Sequence, residues 1–301
     1  MKLAFVFPGQ GSQYSGMPTD FSKYNSWERF ANIANNILNF DLTEIMDGDE
    51  EILKLTENAQ PAIYLASYVA FYDTKRLFRE PDVVAGHSLG EYTALAAAEV
   101  YDFETGLYLV RKRGEYISQA ITPGEGSMAA VINVPISELE ELVARFEDLY
   151  IANYNSEEQT VVSGKTKSIR EFVKYLTENG KKAIELKVSG PFHTPFLESA
   201  REKMATEVEH IKFRRPKYPI VMNSTGREIT DPEQIKHYVL EQISGPVHWK
   251  QSIDRMIELG VEEFVEVGPK NVLTTMLKKA KLNGKHFSSI IKSPEEVLDA
   301  K

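Results

Sequence analysis

The strongest constraint on the fold is a short apolar segment that leads through a glycine turn into an alanine-rich segment. Residues 82–85 have the pattern of a buried strand, and residues 89–100 have the composition of a helix. Residues 3–7 also predict a short buried strand, which a loop rich in glycine, serine and glutamine follows. Strands that alternate with helices usually lie parallel in a sheet with helices on both faces. We therefore predict an α/β fold with a parallel central sheet.

Two further helical patterns precede the glycine turn, at residues 26–38 and 61–79. The second opens with Pro61. Proline fits the first turn of a helix, because the N–H that it lacks would have no helical partner there. We therefore expect this helix to begin at Pro61.

A different order of elements interrupts the alternation in the middle of the chain. The pattern over residues 127–188 predicts strand, helix, strand, strand, helix and strand, which is the βαββαβ order of a ferredoxin-like unit. After this segment the alternating pattern resumes. We expect a large, discontinuous α/β-hydrolase-like domain of residues 1–123 and 191–301. We expect residues 124–190 to form a small ferredoxin-like domain inserted into it.

The composition excludes several classes of protein. Of the 301 residues, 35 are Lys or Arg and 44 are Asp or Glu, which gives a formal net charge of −9. Nucleic acids and anionic membranes bind positively charged surfaces, so we expect neither as a partner. The chain has no cysteine, which excludes disulfides, thiolate metal sites and a cysteine nucleophile.

The N-terminal apolar run is too short for a signal segment or a membrane span, because Pro8 and Gly9 end it. No later apolar run is long enough to span a membrane either. We therefore expect a cytoplasmic protein whose N-terminus is intact, and we expect it to be a monomer.

The glycine turn contains a serine in the pattern of a nucleophile elbow. The pentapeptide is Gly86-His87-Ser88-Leu89-Gly90, with glycines two positions before and after the serine. Small residues there leave room for a strained strand-to-helix turn, which exposes the hydroxyl at the end of the sheet. The N–H groups that begin the following helix can then stabilise an oxyanion. Because a predicted strand precedes it and a predicted helix follows, we interpret Ser88 as a nucleophile rather than as part of a structural turn.

A serine hydroxyl attacks only when a base lies within hydrogen-bonding distance, and the six histidines are the candidates. His193 lies in a Gly-Pro-Phe-His-Thr-Pro loop where the predicted small domain returns to the large one, and sites often form at domain junctions. We favour His193 and keep His248 as the alternative. His87, next to the serine, is predicted to brace the turn. The remaining histidines are predicted to be solvated: His210, His237 and His286.

Several motifs stand in order along the whole chain. They are Phe7-Pro8-Gly9-Gln10-Gly11-Ser12-Gln13, Gly86-His87-Ser88-Leu89-Gly90-Glu91, Arg113-Gly114, Pro191-Phe192-His193 and Val265-Glu266-Val267-Gly268-Pro269. Together they resemble the malonyl-CoA:acyl-carrier-protein transacylase family, which includes the acyltransferases of polyketide synthases. The combination is far more specific than any single motif.

The resemblance implies a role for each matching residue. Ser88 resembles the acylated serine of the family, and His193 resembles its general base. The backbone N–H groups of Gln10 and Leu89 are similar to those that form its oxyanion hole. Arg113 resembles the arginine that binds the free carboxylate of the malonyl group. A guanidinium suits this role because it is always charged and offers a planar, two-pronged match to a carboxylate.

The resemblance also implies roles for three further positions. Phe192, before the predicted base, resembles the malonyl-selective pattern rather than the methylmalonyl-selective one. His248 corresponds to a position, often glutamine, whose main-chain carbonyl orients the catalytic histidine. The family has no acidic third member, so we expect Glu91 to be structural.

The implied reaction is a ping-pong transfer of a malonyl group from malonyl-CoA to the phosphopantetheine thiol of an acyl carrier protein, through an ester of Ser88. Malonyl-CoA is the substrate, and no cofactor or metal is expected. The pathway stays open between fatty acid and polyketide synthesis. Residues 241–249 resemble somewhat more the acyltransferases that act in trans on polyketide synthases.

Two alternatives belong to other functional classes. An acyl hydrolase that removes acyl groups from carrier proteins would use the same serine and histidine, but such relatives tend to lack the arginine seen at Arg113. A non-catalytic docking subunit of a synthase assembly would not need the complete set of site residues. A basic cluster is a candidate docking surface for an acidic carrier protein or the phosphates of coenzyme A, with a solvated loop as the alternative. It consists of Lys212, Arg214, Arg215 and Lys217.

Overall fold

Strands and helices alternate along most of the chain. The computed structural model describes residues 1–188, 190–279 and 286–290. The strands are β1 (Lys2–Phe7), β2 (Val83–Gly86), β3 (Gly126–Ile132), β4 (Leu149–Tyr154), β5 (Gln159–Lys165), β6 (Lys182–Glu185), β7 (Ile220–Met222), β8 (Arg227–Ile229), β9 (Val261–Val267) and β10 (His286–Ile290).

The helices surround two sheets. They are α1 (Met17–Phe21), α2 (Trp27–Leu38), α3 (Leu42–Asp47), α4 (Glu50–Leu53), α5 (Thr56–Leu77), α6 (Leu89–Ala97), α7 (Phe103–Ala120), α8 (Ile136–Val143), α9 (Thr166–Glu178), α10 (Glu198–Glu209), α11 (Pro232–Ser244), α12 (Trp249–Glu258) and α13 (Val272–Lys279). A short 3₁₀ helix, Pro195–Leu197, precedes α10. Within the described ranges, none of these helices has the length and apolar character to cross a membrane.

The larger sheet is mixed, with the strand order β10-β9-β1-β2-β7-β8. Every neighbouring pair in it is parallel except β7 and β8, which are antiparallel. The predicted α/β fold is confirmed, and the sheet, predicted to be parallel, departs from that prediction at the edge strand β8. A tight turn with Gly226 at φ 61° joins β7 to β8. A parallel connection needs about a dozen residues or more, so this short link forces an antiparallel pair.

Strand β1 lies inside this sheet and explains the apolar run near the N-terminus. Leu3, Phe5 and Phe7 are buried in a core that α5, α6 and α7 share. Ala4 and Val6 are buried on the other face, against α12 and α13. Because both faces are covered, the strand is apolar throughout instead of alternating with polar residues.

Strands β3, β4, β5 and β6, which lie within residues 126–185, form the second sheet. It is antiparallel and has the order β4-β5-β3-β6. Its elements follow the predicted order of strand, helix, strand, strand, helix and strand. Leu139 of α8 and Phe172 of α9 pack with Val131 and Val162 of the sheet. The amphipathic patterns of both helices are therefore satisfied by one face of this sheet.

Strand β4 ties the second sheet to the rest of the structure. The N–H of Tyr154 donates to the carbonyl of Val247 at 2.9 Å, and the N–H of Val247 donates to the carbonyl of Ala152 at 2.8 Å. These bonds fix the second sheet to the segment that leads into α12.

The basic cluster lies at the amino-terminal edge of the larger sheet. Lys217, just before β7, forms ion pairs with Glu80 at 2.7 Å and Glu99 at 3.8 Å. Strands β2 and β7 are parallel, and Ser88 follows β2 at the opposite, carboxyl-terminal edge. This position favours the solvated-loop alternative over a docking surface beside the serine.

One helix begins earlier than the sequence predicts. Helix α5 begins at Thr56, so Pro61 lies inside it instead of in its first turn. An internal proline lacks the N–H that would pair with the carbonyl four residues earlier, here that of Glu57. Nη1 of Arg111, on α7, donates to this carbonyl at 2.8 Å. A side chain from a neighbouring helix thus replaces the missing backbone hydrogen bond.

We expect Arg111→Ala to lower the free energy of unfolding by about 1–3 kcal/mol, because the carbonyl of Glu57 loses its donor. In a Pro61→Ala background, residue 61 has an N–H that can make the helical bond, so Arg111→Ala should lower the free energy of unfolding by less. Urea unfolding of the four proteins in this double-mutant cycle measures the coupling. An equal loss of unfolding free energy in the two backgrounds would show that Arg111 does not replace the missing bond.

Candidate active site

Ser88 lies where β2 ends and α6 begins, at the carboxyl edge of the larger sheet. Its backbone angles are φ 52° and ψ −111°, which a residue with a Cβ rarely adopts. A Cβ on Gly86 would lie 1.9 Å from the carbonyl carbon of Gly90, and a Cβ on Gly90 would lie 2.1 Å from the carbonyl oxygen of Phe7. Only glycine fits at either position. The pentapeptide therefore forms the tight strand-to-helix turn that its sequence predicts.

Asn223 holds this strained turn from the neighbouring strand. It directly follows β7, which pairs with β2. The N–H of Ser88 donates to Oδ1 of Asn223 at 2.7 Å, and Nδ2 of Asn223 donates to the carbonyl of Gly86 at 2.6 Å. The two bonds span the turn, so they stabilise the strained conformation of the serine.

His193 brings an imidazole to the serine from the loop between β6 and α10. Its Nε2 lies 2.8 Å from Oγ of Ser88, and its Nδ1 lies 2.8 Å from the main-chain oxygen of Gln242. A carbonyl oxygen can only accept, so Nδ1 carries the hydrogen and Nε2 is free to accept the hydroxyl proton. Of the two candidate bases, it is His193 that contacts the serine.

The carbonyl of Gln242 is available because of how α11 ends. In a continuing helix this oxygen would accept the N–H of residue 246, but residue 246 is Pro246 and has no N–H. The helix ends at Ser244, and Gly245 is extended, with φ −119° and ψ 169°. The orphaned carbonyl is satisfied by the imidazole of His193.

The prediction that the main-chain carbonyl of His248 orients the catalytic histidine is wrong. That carbonyl accepts the N–H of Ser252 at 2.9 Å and its hydroxyl at 2.8 Å, in the first turn of α12. The imidazole of His248 stacks on Tyr154 of β4, with ring centroids 5.1 Å apart and an interplanar angle of 9°. His248 therefore begins a helix and packs against the second sheet.

Burial keeps the His193 imidazole neutral. Loss of solvation, together with the positive charge of Arg113, lowers the pKa of His193 from 6.5 to about 3. The backbone of His193 has φ 58°, in the left-handed region. The surrounding structure, rather than the preference of the residue itself, therefore holds the imidazole against the serine.

Arg113 of α7 lies beside the serine and is only 3% exposed. Its Nη1 donates to Oε1 of Gln60 at 2.9 Å. Its Nη2 donates to Oε1 of Gln242 at 2.9 Å and to Oγ of Ser88 at 3.2 Å. The guanidinium carbon lies 5.4 Å from the centre of the Tyr92 ring. A positive charge thus sits next to the hydroxyl, where it can reach an anionic group carried by an acyl chain.

Gln242 joins the parts of the site. In addition to the contacts above, its Nε2 donates to the carbonyl of Ser88 at 2.9 Å and to Oε1 of Glu91 at 3.0 Å. Gln242 is not among the site residues predicted from the sequence. One feature of the sequence bears on it. Residue 242 stands four residues before Pro246, which lacks the N–H that the carbonyl of Gln242 would accept in a helix. That feature does not show which side chain the carbonyl meets.

The two predicted oxyanion donors lie next to the turn. Leu89 is the first residue of α6, so its N–H has no acceptor within the helix. Gln10 follows Gly9, and a Cβ on Gly9 would lie 2.5 Å from the carbonyl oxygen of His87, so this loop runs directly against the turn. Within the described ranges, neither amide N–H donates to another backbone group. Their part in catalysis stays a prediction.

Three other predicted residues stand close to Ser88 or His193 along the chain. Phe192 is half-buried between the core of the larger sheet and the face of the second sheet. His87 contacts Oδ1 of Asn155 through Nε2 at 2.9 Å and packs edge-on against Trp249, so it braces the turn as predicted. Glu91 is fully buried, which raises its pKa to about 8. Its contacts are to the backbone and side chains of the site, as a structural role requires.

The remaining histidines lie away from the serine or outside the described side chains. His210 is exposed, and His237 pairs with Glu241 at 3.0 Å on the surface. The prediction for His286 concerns a side chain that lies outside the described part of the structure. Over the ranges that the structure describes, no cluster of three or more His, Asp or Glu residues could hold a metal ion.

The fold and the site together define a class of protein. A serine on a strained turn contacts a neutral histidine, and a buried arginine contacts the same hydroxyl. This is the arrangement of a serine acyl-transfer site in an α/β fold, with an added group that can bind an anion.

Similar proteins identify the family. A model of the acyl transferase domain matches residues 4–291. The malonyl CoA-acyl carrier protein transacylase of Bacillus subtilis (strain 168) is 36% identical over 303 residues, which cover 98% of this chain and 95% of the relative. An acyl carrier protein S-malonyltransferase from Vibrio cholerae O1 biovar eltor superposes with a TM-score of 0.94 at 32% identity, over 100% of this chain and 99% of that chain. A malonyl-transacylase in complex with its type II PKS acyl-carrier protein has a TM-score of 0.94 at 30% identity, over 100% of both chains. The chain belongs to the malonyl-CoA:acyl-carrier-protein transacylase family.

We expect the acylation of Ser88 to remain fast well below pH 6.5. Neutral His193 is the reactive form of the base, and its pKa of about 3 keeps it neutral through the mildly acidic range. Rapid-quench measurements of acyl-enzyme formation between about pH 4 and pH 8 check this expectation. A fall in rate centred near the ordinary histidine pKa would show that the imidazole is not desolvated.

We expect Asn223→Ala to lower both stability and activity, because it removes the two bonds that span the strained turn. The free energy of unfolding should fall by about 1–3 kcal/mol. The acylation rate should fall by roughly 100-fold, because the hydroxyl is no longer held in position. Ser224→Ala is the matched control, since it removes one bond to the carbonyl of Tyr238 and none to the turn. An Asn223→Ala enzyme with the wild-type rate would contradict the positioning role.

Proposed function

We propose that this chain transfers a malonyl group from malonyl-CoA to the phosphopantetheine thiol of an acyl carrier protein, through a malonyl ester of Ser88. The observation that carries the proposal is the pair of contacts at one hydroxyl. Oγ of Ser88 lies 2.8 Å from Nε2 of His193 and 3.2 Å from Nη2 of Arg113. A base and a carboxylate-binding cation thus meet at the nucleophile. Relatives named as malonyl transacylases support this choice of donor and acceptor.

In the first half of the reaction, Nε2 of His193 takes the proton of Ser88 as Oγ attacks the thioester carbonyl of malonyl-CoA. The carbon–sulfur bond then breaks, and the imidazolium gives the proton to the sulfur of coenzyme A. The products are the malonyl ester of Ser88 and the free thiol. The carbonyl of Gln242 keeps the imidazole in orientation through Nδ1 in both steps.

The second half uses the same groups in reverse. Nε2 of His193 takes the proton of the phosphopantetheine thiol as the sulfur attacks the ester carbonyl. The bond from the acyl carbon to Oγ breaks, and Ser88 regains its proton from the imidazolium. Atoms and charges balance without a redox step, so the proposed transfer has malonyl-CoA as its substrate and requires no cofactor.

We assign the N–H groups of Gln10 and Leu89 to the oxyanion that forms in each half of the reaction. The position of Leu89 at the start of α6 supports this role, because the N-terminus of a helix carries partial positive charge. The close approach of the loop at Gly9 to the turn supports the role of Gln10. A donor of this kind contributes about 3–4 kcal/mol to the stability of a transition state.

We assign the free carboxylate of the malonyl group to Arg113, whose guanidinium can offer two parallel N–H donors. We assign Phe192, the residue before the base, to the wall beside the acyl chain, where its ring would favour malonyl over methylmalonyl groups. One methyl group changes binding in such a pocket by about 1–3 kcal/mol, so the preference is moderate.

We assign residues 1–123 and 191–301 to a large α/β-hydrolase-like catalytic domain and residues 124–190 to an inserted ferredoxin-like domain. The antiparallel order β4-β5-β3-β6 supports the ferredoxin-like assignment. A Cβ on Gly126 would lie 2.1 Å from Cδ of Pro191, so the two connections between the domains run side by side. Such adjacent connections are what an insertion requires.

The two alternative functions fit the site less well. An acyl hydrolase needs the serine and the histidine but has no use for Arg113, which makes hydrogen bonds to three groups in the site. A docking subunit without activity needs neither the base nor the cation. The cytoplasmic location and the monomeric state stay predictions from the sequence.

Intact-mass measurement after mixing with malonyl-CoA tests the proposal. The wild type should gain one malonyl group, and Ser88→Ala should gain none. Arg113→Ala should lose the preference for malonyl-CoA over acetyl-CoA, because the carboxylate has no partner. Lys112→Ala removes a neighbouring cation of the same helix that pairs with Glu115, so it is the matched control and should keep the preference.

Adding acyl carrier protein then separates transfer from hydrolysis. The malonyl group should move to the carrier faster than water releases it as malonate. A malonyl adduct that persists in Ser88→Ala would contradict the mechanism. Release of malonate with no malonyl carrier formed would favour the hydrolase.

A further inference from the structure

The groups that orient Arg113 are all uncharged. The side-chain oxygens of Gln60 and Gln242 and the hydroxyl of Ser88 accept its hydrogen bonds. Its neighbours on α7 differ, because Arg111 and Lys112 both pair with the carboxylate of Glu115. Arg113 forms no ion pair with any carboxylate in the described part of the chain.

This arrangement leaves Arg113 without direct contact with a negative charge in the described part of the chain. A buried charge normally requires a partner of opposite charge, because removal from water is costly. Arg113 is 3% exposed, and its Nε finds no hydrogen-bond partner among the described residues. The missing negative charge is what the carboxylate of an acyl group would supply.

The carboxyl group of Glu91 is separated from Arg113 by one amide. The side chain of Gln242 accepts from Arg113 through Oε1 and donates to Glu91 through Nε2. The amide links the two groups by hydrogen bonds but carries no charge of its own. Burial raises the pKa of Glu91 to about 8, and both of its carboxyl oxygens accept hydrogen bonds from backbone or amide N–H groups rather than from Arg113.

We infer that Gln60 and Gln242 are positioning residues that determine specificity: their neutral amides orient the guanidinium of Arg113 and leave its charge for the carboxylate of the acyl group. The inference rests on the proposed function and deepens it. A carboxylate at either glutamine position would form an internal ion pair with Arg113. That pair would compete with a carboxylated substrate and would have little effect on an uncharged one.

Gln60 is the better position for a test. It is fully buried on α5, and its bond to Arg113 is the one hydrogen bond found for its side chain within the described ranges. Its Nε2 is without a partner there. The amide of Gln242 also bonds Ser88 and Glu91, so a substitution there would disturb the turn as well. Gln60→Glu adds a charge with almost no change in size.

The experiment compares kcat/KM for acyl-enzyme formation with malonyl-CoA and with acetyl-CoA. Gln60→Glu should lower the ratio of the two values roughly 100-fold, because a buried carboxylate neutralises Arg113. The loss should appear with malonyl-CoA and not with acetyl-CoA. Gln60→Met removes the same hydrogen bond without adding charge, so its ratio should fall by less than about tenfold.

Thermal unfolding checks that both variants fold. A second matched pair, Gln60→Asp and Gln60→Asn, repeats the comparison with a shorter side chain if the first pair is unstable. Equal ratios in the charged and uncharged variants, with a wild type that forms the malonyl ester, would overturn the inference and leave the proposed function intact. A wild type that forms no malonyl ester would overturn both.

Discussion

The end of helix α11 provides the hydrogen bond on which the rest of the site depends. Because Pro246 has no N–H, the main-chain oxygen of Gln242 lacks a helical partner and accepts Nδ1–H of His193 at 2.8 Å. The side chain of the same residue bonds Arg113 and the carbonyl of Ser88. One residue at a helix terminus therefore fixes the base, the cation and the nucleophile relative to one another. A shift in the position where α11 ends would displace all three.

Backbone strain in the site is balanced by contacts from outside it. Ser88 and His193 both have positive φ, 52° and 58°, at a cost of about 1–3 kcal/mol each. Residues with a Cβ rarely adopt positive φ, so neither conformation follows from the preference of the residue itself. Asn223 stabilises the first through two hydrogen bonds, and the carbonyl of Gln242 holds the second. The free-energy cost of holding the two residues in these conformations is therefore offset during folding, and none of it has to be offset when the substrate binds.

The site could be predicted from the sequence where its geometry is local. Ser88 could be predicted because the glycines that permit its conformation stand within five residues of chain. His193 could be predicted as a residue at a domain junction, although only the folded chain shows its contact with the serine. Gln242 could not, because its role comes from a tertiary contact between a helix end and a distant loop. His248 was selected by resemblance, and its carbonyl serves helix α12 instead. In the fold, β8 was missed because three residues give no periodic pattern.

The charge of the substrate explains why a carbonyl, and not a carboxylate, holds the base. In a Ser-His-Asp site, a carboxylate behind the histidine stabilises the imidazolium that forms during the reaction. Here such a group would stand at the position of Gln242, whose side chain lies 2.9 Å from Arg113, and it would attract the guanidinium. The carbonyl orients His193 with only a partial charge, so Arg113 stays available. Burial first, and the charge of Arg113 second, lower the pKa of the imidazole. A weaker base suffices because a thiolate is a good leaving group in the first half of the reaction and a thiol is easily deprotonated in the second. Under the proposed function, neutral partners for the base and for the cation follow from the same requirement, which is to bind an anionic acyl group in a buried site.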